Sequence, residues 1–322
     1  MRCAVLRTLA ITLALVACAE SEPEPTPAPI TSVSADGYPR DLTTFDGEPL
    51  RIEARPTRIL PANSSALDFL SALVSPEDFV AIPAEADSYA ISANDPEAWR
   101  SLPRMERYTG EDILSYRPDL VVAHTWQDPA ALRVVRAAGV TVLTVPEFKD
   151  FDSLRETLRH LGEVLGQEER GALAIAEIEA RRDALLANEA RRKLRAMVYT
   201  NYGSGGWTAG THTSANTMIE LTGMRNVAAE AGLKSHQRVD IERVLTLDPD
   251  VLILSGPERA QQMNPSESYV RNEAALQSLT ALREDRLAVL PASLYGANSQ
   301  YLIDAAEELA RQVDAMFADT DE

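Results

Sequence analysis

Glu111-Asp-Ile-Leu-Ser-Tyr-Arg-Pro-Asp-Leu-Val-Val-Ala123 and Glu242-Arg-Val-Leu-Thr-Leu-Asp-Pro-Asp-Val-Leu-Ile-Leu254 align without a gap at an offset of 131 residues, 242 minus 111. Four of the thirteen positions are identical: Glu111, Leu114, Pro118 and Asp119 meet Glu242, Leu245, Pro249 and Asp250. Most others exchange one aliphatic residue for another, or Ser for Thr. Thr109 and Asp240 stand where they can cap a short helix, with Glu111 and Glu242 in its positive first turn. The Pro-Asp pair ends that helix, because proline cannot continue it. Leu120–Ala123 and Val251–Leu254 are unbroken aliphatic runs without the alternation of a half-exposed strand, so each fits a parallel strand covered on both faces by helices. An internal repeat of helix, turn and buried strand predicts an α/β fold with two Rossmann-like lobes.

Outward from the first copy, Leu50–Ala54 reads as an early strand, Arg58–Pro61 as the first strand of the lobe and Phe79–Ile82 as the next. Asn63-Ser-Ser65 caps a helix over Ala66–Val74. Around the second copy, Ala196–Thr200 is a strand, Gly203 to Gly210 a glycine-punctuated loop around Trp207, and Asn216–Gly223 a helix closed by glycine. Between the copies, Leu154, Leu158, Leu161 and Leu165 recur at helical spacing after an Asp152 or Ser153 cap. From Glu168 to about Arg192 runs a proline-free stretch rich in Ala, Leu, Glu and Arg, roughly 35 to 40 Å if helical, long enough to join two lobes.

The N-terminus addresses the chain outside the cytoplasm. Arg2 and Arg7 precede an apolar run, Leu9–Ala17, too short for a membrane-spanning helix and consistent with a secretory signal over residues 1–17. Leu15-Val-Ala-Cys18 resembles the lipobox of bacterial lipoproteins, which makes Cys18 the expected lipidation site. Several acyl chains anchor a protein far more durably than one. Residues 18–37 form a Pro- and Glu-rich tether whose composition precludes packing. Cys3 leaves with the signal, so the mature domain holds no thiol for a disulfide, a thiolate nucleophile or a zinc-cysteine site. The formal charge of −18 over 322 residues becomes −20 when Arg2 and Arg7 are removed. That balance disfavours nucleic acid and anionic membrane surfaces as partners. The glycines near Ser204 lack the Lys-Ser/Thr of a P-loop and the spacing of a dinucleotide fingerprint.

The chain from Tyr38 onward resembles the periplasmic substrate-binding lipoproteins of the cobalamin, siderophore and haem ABC importers, the class III family. Arg58-Ile-Leu-Pro61, Gly110–Val121, Ala138-Gly-Val-Thr-Val142, Leu221–Ala228 and Asp240–Leu245 carry the resemblance, through their order and spacing. It departs at Arg107, where many relatives have glycine, and at Met224-Arg225. The resemblance implies an N-terminal α/β lobe over residues 38–150, connecting helices over 151–193 with a long bridging helix, and a C-terminal α/β lobe over 194–322. It further implies a non-enzymatic, lipid-anchored monomer in the periplasm or at the cell surface. Such a protein delivers a small metal-chelate ligand to a dimeric membrane permease, and Glu111 and Glu242 are the positions matching the family's permease-docking glutamates. No cofactor or resident metal is implied.

Open α/β sheets place their crevice beyond the carboxyl ends of the strands. Tyr89, His124, Trp126, Tyr202, Trp207, His236 and Tyr295 fall in segments following predicted strands or beside the second repeat, and their rings suit stacking on a flat haem, iron chelate or corrin. Arg104 and Arg107, with Arg100 and Arg238, suit its carboxylates or amide oxygens. These arginines, combined with Tyr and His in the same loops, favour an iron chelate, siderophore or haem, over cobalamin. His124, His212 and His236 without a close-spaced pair are a weak metal signal. The contrasting class, an exported hydrolase using Ser204 or Ser214 with His212, lacks a Gly-x-Ser-x-Gly elbow.

Overall fold

The computed structural model describes residues 37–92, 99–201, 203, 205–257 and 264–318. The expected signal sequence, Cys18, all of the tether before Gly37, Tyr202 and Ser204 lie outside the described residues.

Lobe one runs β1 (Arg40–Thr43), β2 (Pro49–Ile52), β3 (Ile59–Pro61), α1 (Ser64–Ser71), β4 (Ile82–Pro83), α2 (Ala86–Tyr89), β5 (Arg104–Met105), α3 (Gly110–Ser115), β6 (Leu120–His124), α4 (Pro129–Ala137) and β7 (Thr141–Val145). Two helices follow, α5 (Phe151–Leu165) and α6 (Glu168–Leu186). Lobe two starts with β8 (Arg195–Val198), β9 (Thr200–Asn201), β10 (Gly206–Ala209), α7 (Ser214–Leu221), β11 (Arg225–Asn226), α8 (Val227–Glu230) and β12 (His236–Val239). It continues through α9 (Ile241–Leu247), β13 (Val251–Ser255), α10 (Pro265–Asn272), α11 (Thr280–Arg283), β14 (Leu287–Leu290), α12 (Ala292–Tyr295) and α13 (Leu302–Ala318).

Each lobe is built on a parallel sheet with the repeat strand inside it: β3-β6-β7 in lobe one and β11-β8-β13-β14 in lobe two. Every residue of β6 and β13 is buried, as unbroken aliphatic runs require. The largest apolar cluster extends from Ile59 and Leu120 in lobe one through Leu158 and Leu161 of α5 to Ile253 and Leu309 in lobe two.

The repeat is structural to the level of single hydrogen bonds. Thr109 Oγ1 accepts from the Asp112 N–H at 3.2 Å, and Asp240 Oδ1 from the Arg243 N–H at 2.7 Å. Past the end of each helix the chain turns through a residue with positive φ, Arg117 (52°) just after the Tyr116 cap and Asp248 (38°) at the cap itself, again 131 positions apart. Asp119 accepts the N–H groups of Thr57 and Arg58 at 2.9 and 3.1 Å, and Asp250 accepts that of Arg195 at 2.9 Å. Those same arginines cap the repeat helices. Arg58 donates to the carbonyls of Arg117 and Tyr116 at 2.7 and 2.8 Å; Arg195 donates to those of Asp248 and Leu247 at 3.1 and 2.7 Å. Cations on the orphan carbonyls complement the negative helix end.

Several local expectations are corrected. The Phe79–Ile82 strand shrinks to Ile82–Pro83, with Phe79 making one bridge to Ile59. The cap of α5 is Asp150, whose carboxylate accepts the Ser153 N–H at 2.8 Å. The helix from Glu168 stops at Leu186, giving about 28 Å for its 19 residues, and Glu189–Lys193 tightens into a 3₁₀ turn capped by Asn188. Ala196–Thr200 breaks into β8 and β9, and the glycine-punctuated loop holds β10, which pairs antiparallel with β9 and β12. Helix α7 starts earlier than Asn216, at Ser214, capped by Thr213, and Gly223 takes φ 85° just beyond it.

Helix α6 buries only Gly171, Ile178 and Leu185. Its charged side chains make the contacts: Glu179 meets Arg155 of α5 at 2.7 Å, and Arg181 forks onto Glu307 (2.6 Å) and Asp304 (2.9 Å) of α13.

Replacing Asp250 with alanine strands the Arg195 N–H in a partly buried position. Urea titration should show about 1.5–3 kcal/mol lost at unchanged m, with a smaller loss for Asp119→Ala, whose partners are exposed.

Candidate functional site

Helices α3 and α9 run back to the starts of β6 and β13, so their first turns lie at the carboxyl ends of the sheets, on the same side as the loops following the strands. In lobe one that end carries Trp126, which is 64 % exposed. The turn is set by its neighbour Gln127. The Gln127 amide points inward, accepting the His124 N–H at 3.0 Å and donating to the Ala62 carbonyl beyond β3, so Trp126 is turned out. His124 is buried beneath it, ring against ring at 5.5 Å and 29°. Burial holds the His124 imidazolium pKa below its ordinary value, with Glu147 opposing weakly, so the ring is a neutral backing for the tryptophan. Beside Trp126 opens a recess of about 190 Å³ lined by Glu85, Tyr108, Ile113, Gln127, Asp128 and Leu132. Tyr108 donates to Glu85 in a short hydrogen bond, and its phenol is pushed up by burial and by that carboxylate.

Lobe two presents a comparable surface by a different device. On the β10–β12 ribbon, Trp207 pairs directly with Arg238, whose guanidinium lies over the indole at 5.5 Å. His236 is on the same face, exposed, while Thr208 and Val239 on the other face are buried. A depression of about 690 Å³ beside the ribbon is lined by Tyr199, Asn201, Arg238, Asp240, Glu242 and Tyr269. Tyr108 and Val239, equivalent under the repeat, border the two recesses.

The other expected residues divide. Tyr89 is 39 % exposed at the end of α2. Arg104 is committed inside lobe one: it pairs with Asp87 of α2 at 2.8 Å and donates to the carbonyls of Trp99 and Leu102 at 2.9 Å each. Arg107 pairs with Asp112 at 2.9 Å, and with Thr109 it draws that carboxyl below its usual range. Tyr295 is half-buried, its hydroxyl 2.9 Å from Thr200 Oγ1. Arg100 and His212 are exposed, and Ser214 opens α7. Among the described residues no group of three or more His, Cys, Asp or Glu side chains could hold a metal ion. Glu111 and Glu242 are both exposed, each in the first turn of its helix, and among the described residues neither has an ion-pair partner. Tyr108, Glu85, Tyr199 and Tyr269 were not expected; for Tyr108 the signal was its place just before the Thr109 cap.

Residues 65–294 match the Periplasmic binding protein family. The chain belongs to that family. Across 213 residues, 63 % of this chain, it is 22 % identical to an uncharacterized ABC transporter substrate-binding lipoprotein, YvrC, of Bacillus subtilis (strain 168). Over the same length it is 26 % identical to a cobalamin-binding protein of Halobacterium salinarum. The matched stretch spans 64 % and 55 % of those relatives' own lengths. The fold is also that of the periplasmic heme-binding protein RhuT from Roseiflexus sp. RS-1 in apo form, with a TM-score of 0.67 at 24 % identity over 80 % of this chain and 98 % of that one.

Arg104→Ala should cost about 1–2 kcal/mol in a denaturant titration, because it frees α2 and leaves two carbonyls unmet. Arg107→Ala, at an exposed pair, should leave the unfolding midpoint unchanged.

Proposed function

We propose that this chain is the substrate-binding lipoprotein of an ABC import system, capturing a flat metal macrocycle between its lobes and handing it to a membrane permease without chemistry on the ligand. The observation that carries this is one exposed tryptophan on each lobe at the crevice end of the sheets, Trp126 at 64 % and Trp207 at 38 %, each held against a partner ring or guanidinium. Two indoles facing a cleft supply stacking area at little entropic cost. A corrinoid is the first choice. The preference for an iron chelate draws on arginines together with Tyr and His, and of the arginines Arg104 and Arg107 are already paired with Asp87 and Asp112. What remains suits a macrocycle whose periphery is amide rather than carboxylate, in keeping with the cobalamin-binding relative.

The second reading, an anionic iron chelate (siderophore or haem), is favoured by Arg238, which has no carboxylate partner among the described residues and could meet a propionate. The fold match to a heme-binding protein fits it as well.

In this reading α6 is the connector that limits opening of the lobes, through its charged contacts to α5 and α13. The chain works as a lipid-anchored monomer in the periplasm or at the cell surface. The exposed carboxylates of Glu111 and Glu242, symmetric under the repeat, would pair with cations on a two-fold permease.

Tryptophan quenching by cyanocobalamin, haemin and a ferric hydroxamate ranks the ligands. Cyanocobalamin should bind, Trp126→Ala and Trp207→Ala should each weaken it about tenfold or more, and no turnover should accompany binding. Quenching by the hydroxamate alone would overturn the macrocycle. In reconstituted vesicles at saturating ligand, Glu111→Ala with Glu242→Ala should lose most ATPase stimulation, each single change giving a partial loss. Wild-type stimulation by the folded double variant would end the docking assignment.

A further inference from the structure

Beyond its first residue, Ser64, helix α1 is apolar except for Ser65, Asp68 and Ser71, spaced three apart on one face. All three meet the segment between α12 and α13 of lobe two. Ser65 Oγ donates to the Asn298 carbonyl at 2.6 Å, Gln300 Nε2 donates to the Asp68 carbonyl, and Ser71 Oγ lies 3.5 Å from the Tyr301 hydroxyl. The Asp68 carboxylate is only 3 % exposed and has no ion-pair partner among the described residues. Four donors converge on it. Oδ1 accepts the Ser92 N–H at 2.9 Å and Ser92 Oγ at 2.6 Å; Oδ2 accepts the Ile91 N–H at 3.3 Å and, from lobe two, Ser299 Oγ at 3.5 Å. Ile91 and Ser92 lie directly behind α2, whose last residue is the exposed Tyr89.

We propose that Asp68 is a positioning residue of the crevice: its carboxylate ties the Ile91–Ser92 turn behind Tyr89 to Ser299 of lobe two, and taking up a proton releases that tie. The proposal rests on the reading that ligand is held in the crevice. An ionised carboxyl only accepts, and so can serve all four donors. A protonated one must donate, and one hydroxyl has to turn round to receive it. The bond to Ser299, the longest, is the first to go.

Burial pushes the Asp68 carboxyl up to about 6, with the bonds from Ser92, Ile91 and Ser299 opposing. The charged surroundings do little to offset this. Tyr301 faces Asp68 from lobe two, its phenol raised by burial and by the charges of Asp68 and Asp304. On α2, Asp87 is bonded to Arg104, and Glu85, which caps it, to Tyr108. His124 on β6 is held toward neutrality. Because the native carboxyl binds its proton more tightly than the unfolded one, this group's contribution to stability falls as pH rises from about 4 through about 6, whereas losing the bond from Ser299 raises the carboxyl further, so the tie strengthens as pH rises from about 6 upward. The opposed signs separate positioning from stability.

The test is NMR-detected amide exchange at Ile91 and Ser92 in ligand-free protein, corrected for intrinsic rates, at about pH 7.5 and about pH 5. Wild type should lose roughly tenfold protection on acidification, and Asp68→Asn should be low and flat at both. Unchanged wild-type protection, or an Asp68→Asn profile that follows wild type, overturns the proposal. Ser299→Ala spares the fold and the two turn amides. It should keep the wild-type exchange profile yet abolish the roughly tenfold weaker binding of cyanocobalamin or haemin expected of wild type in acid; retained pH-dependent affinity in that variant overturns the link to lobe two. Exchange needs no ligand, so a wrong ligand reading would show as failure of both probes to bind with the exchange result intact.

Discussion

A carboxylate at the start of the central strand of each lobe organises the lobe around it. Asp119 and Asp250 hold the backbone of the neighbouring strand in parallel register, and the arginine of that neighbouring strand reaches back to cover the open carbonyl end of the preceding helix. The arrangement answers two costs together. A parallel pair has no tight turn to set its alignment, and a helix ending at a sheet leaves carbonyls that water reaches poorly. Proline before the aspartate stops the helix where the strand must begin.

Once the strands are aligned, the functional geometry follows from direction. A helix that feeds into the start of a strand has its own beginning at the strand's far end. The first turns bearing Glu111 and Glu242 are therefore delivered to the rim where the strands open into loops, and the tryptophans stand on that rim too. In lobe one Trp126 is placed by a buried glutamine and in lobe two Trp207 by a small antiparallel ribbon, so the two lobes reach similar surfaces by unrelated local means.

The architecture was legible because periodic and unbroken apolar runs survive any detail of tertiary contact. β6, β13, their caps and the leucine face of α5 could all be read from spacing. The β10–β12 ribbon could not: Gly206-Trp-Thr-Ala209 is short and glycine-led, and His236-Gln-Arg-Val239 is polar, with only Val239 of its four residues buried. Arginines were the hardest to place. Arg58, Arg104 and Arg195 have the same composition signal as a ligand-binding arginine; the hydrogen bonds of Arg58 and Arg195 are spent on carbonyls more than 50 residues away, and those of Arg104 on a local turn that spacing does not announce. Asp68 was hidden for a related reason, since one carboxylate in an apolar helix acquires meaning only from the Ile91–Ser92 turn and from a segment some 230 residues away.

The spacing between recess and rim has its own meaning. Tyr108 and Glu111 are three residues apart in lobe one, as are Val239 and Glu242 in lobe two, and in each the residue after the recess side chain is the helix cap itself. A group filling the lobe-one recess would press through Tyr108 on the first turn that carries Glu111, whereas in lobe two Asp240 and Glu242 line the depression themselves. Under the proposed function, occupancy would be felt at both first turns, through the Thr109 cap in lobe one and directly at Asp240 and Glu242 in lobe two, so a permease pairing with those carboxylates could tell a loaded carrier from an empty one even if the lobes themselves scarcely moved.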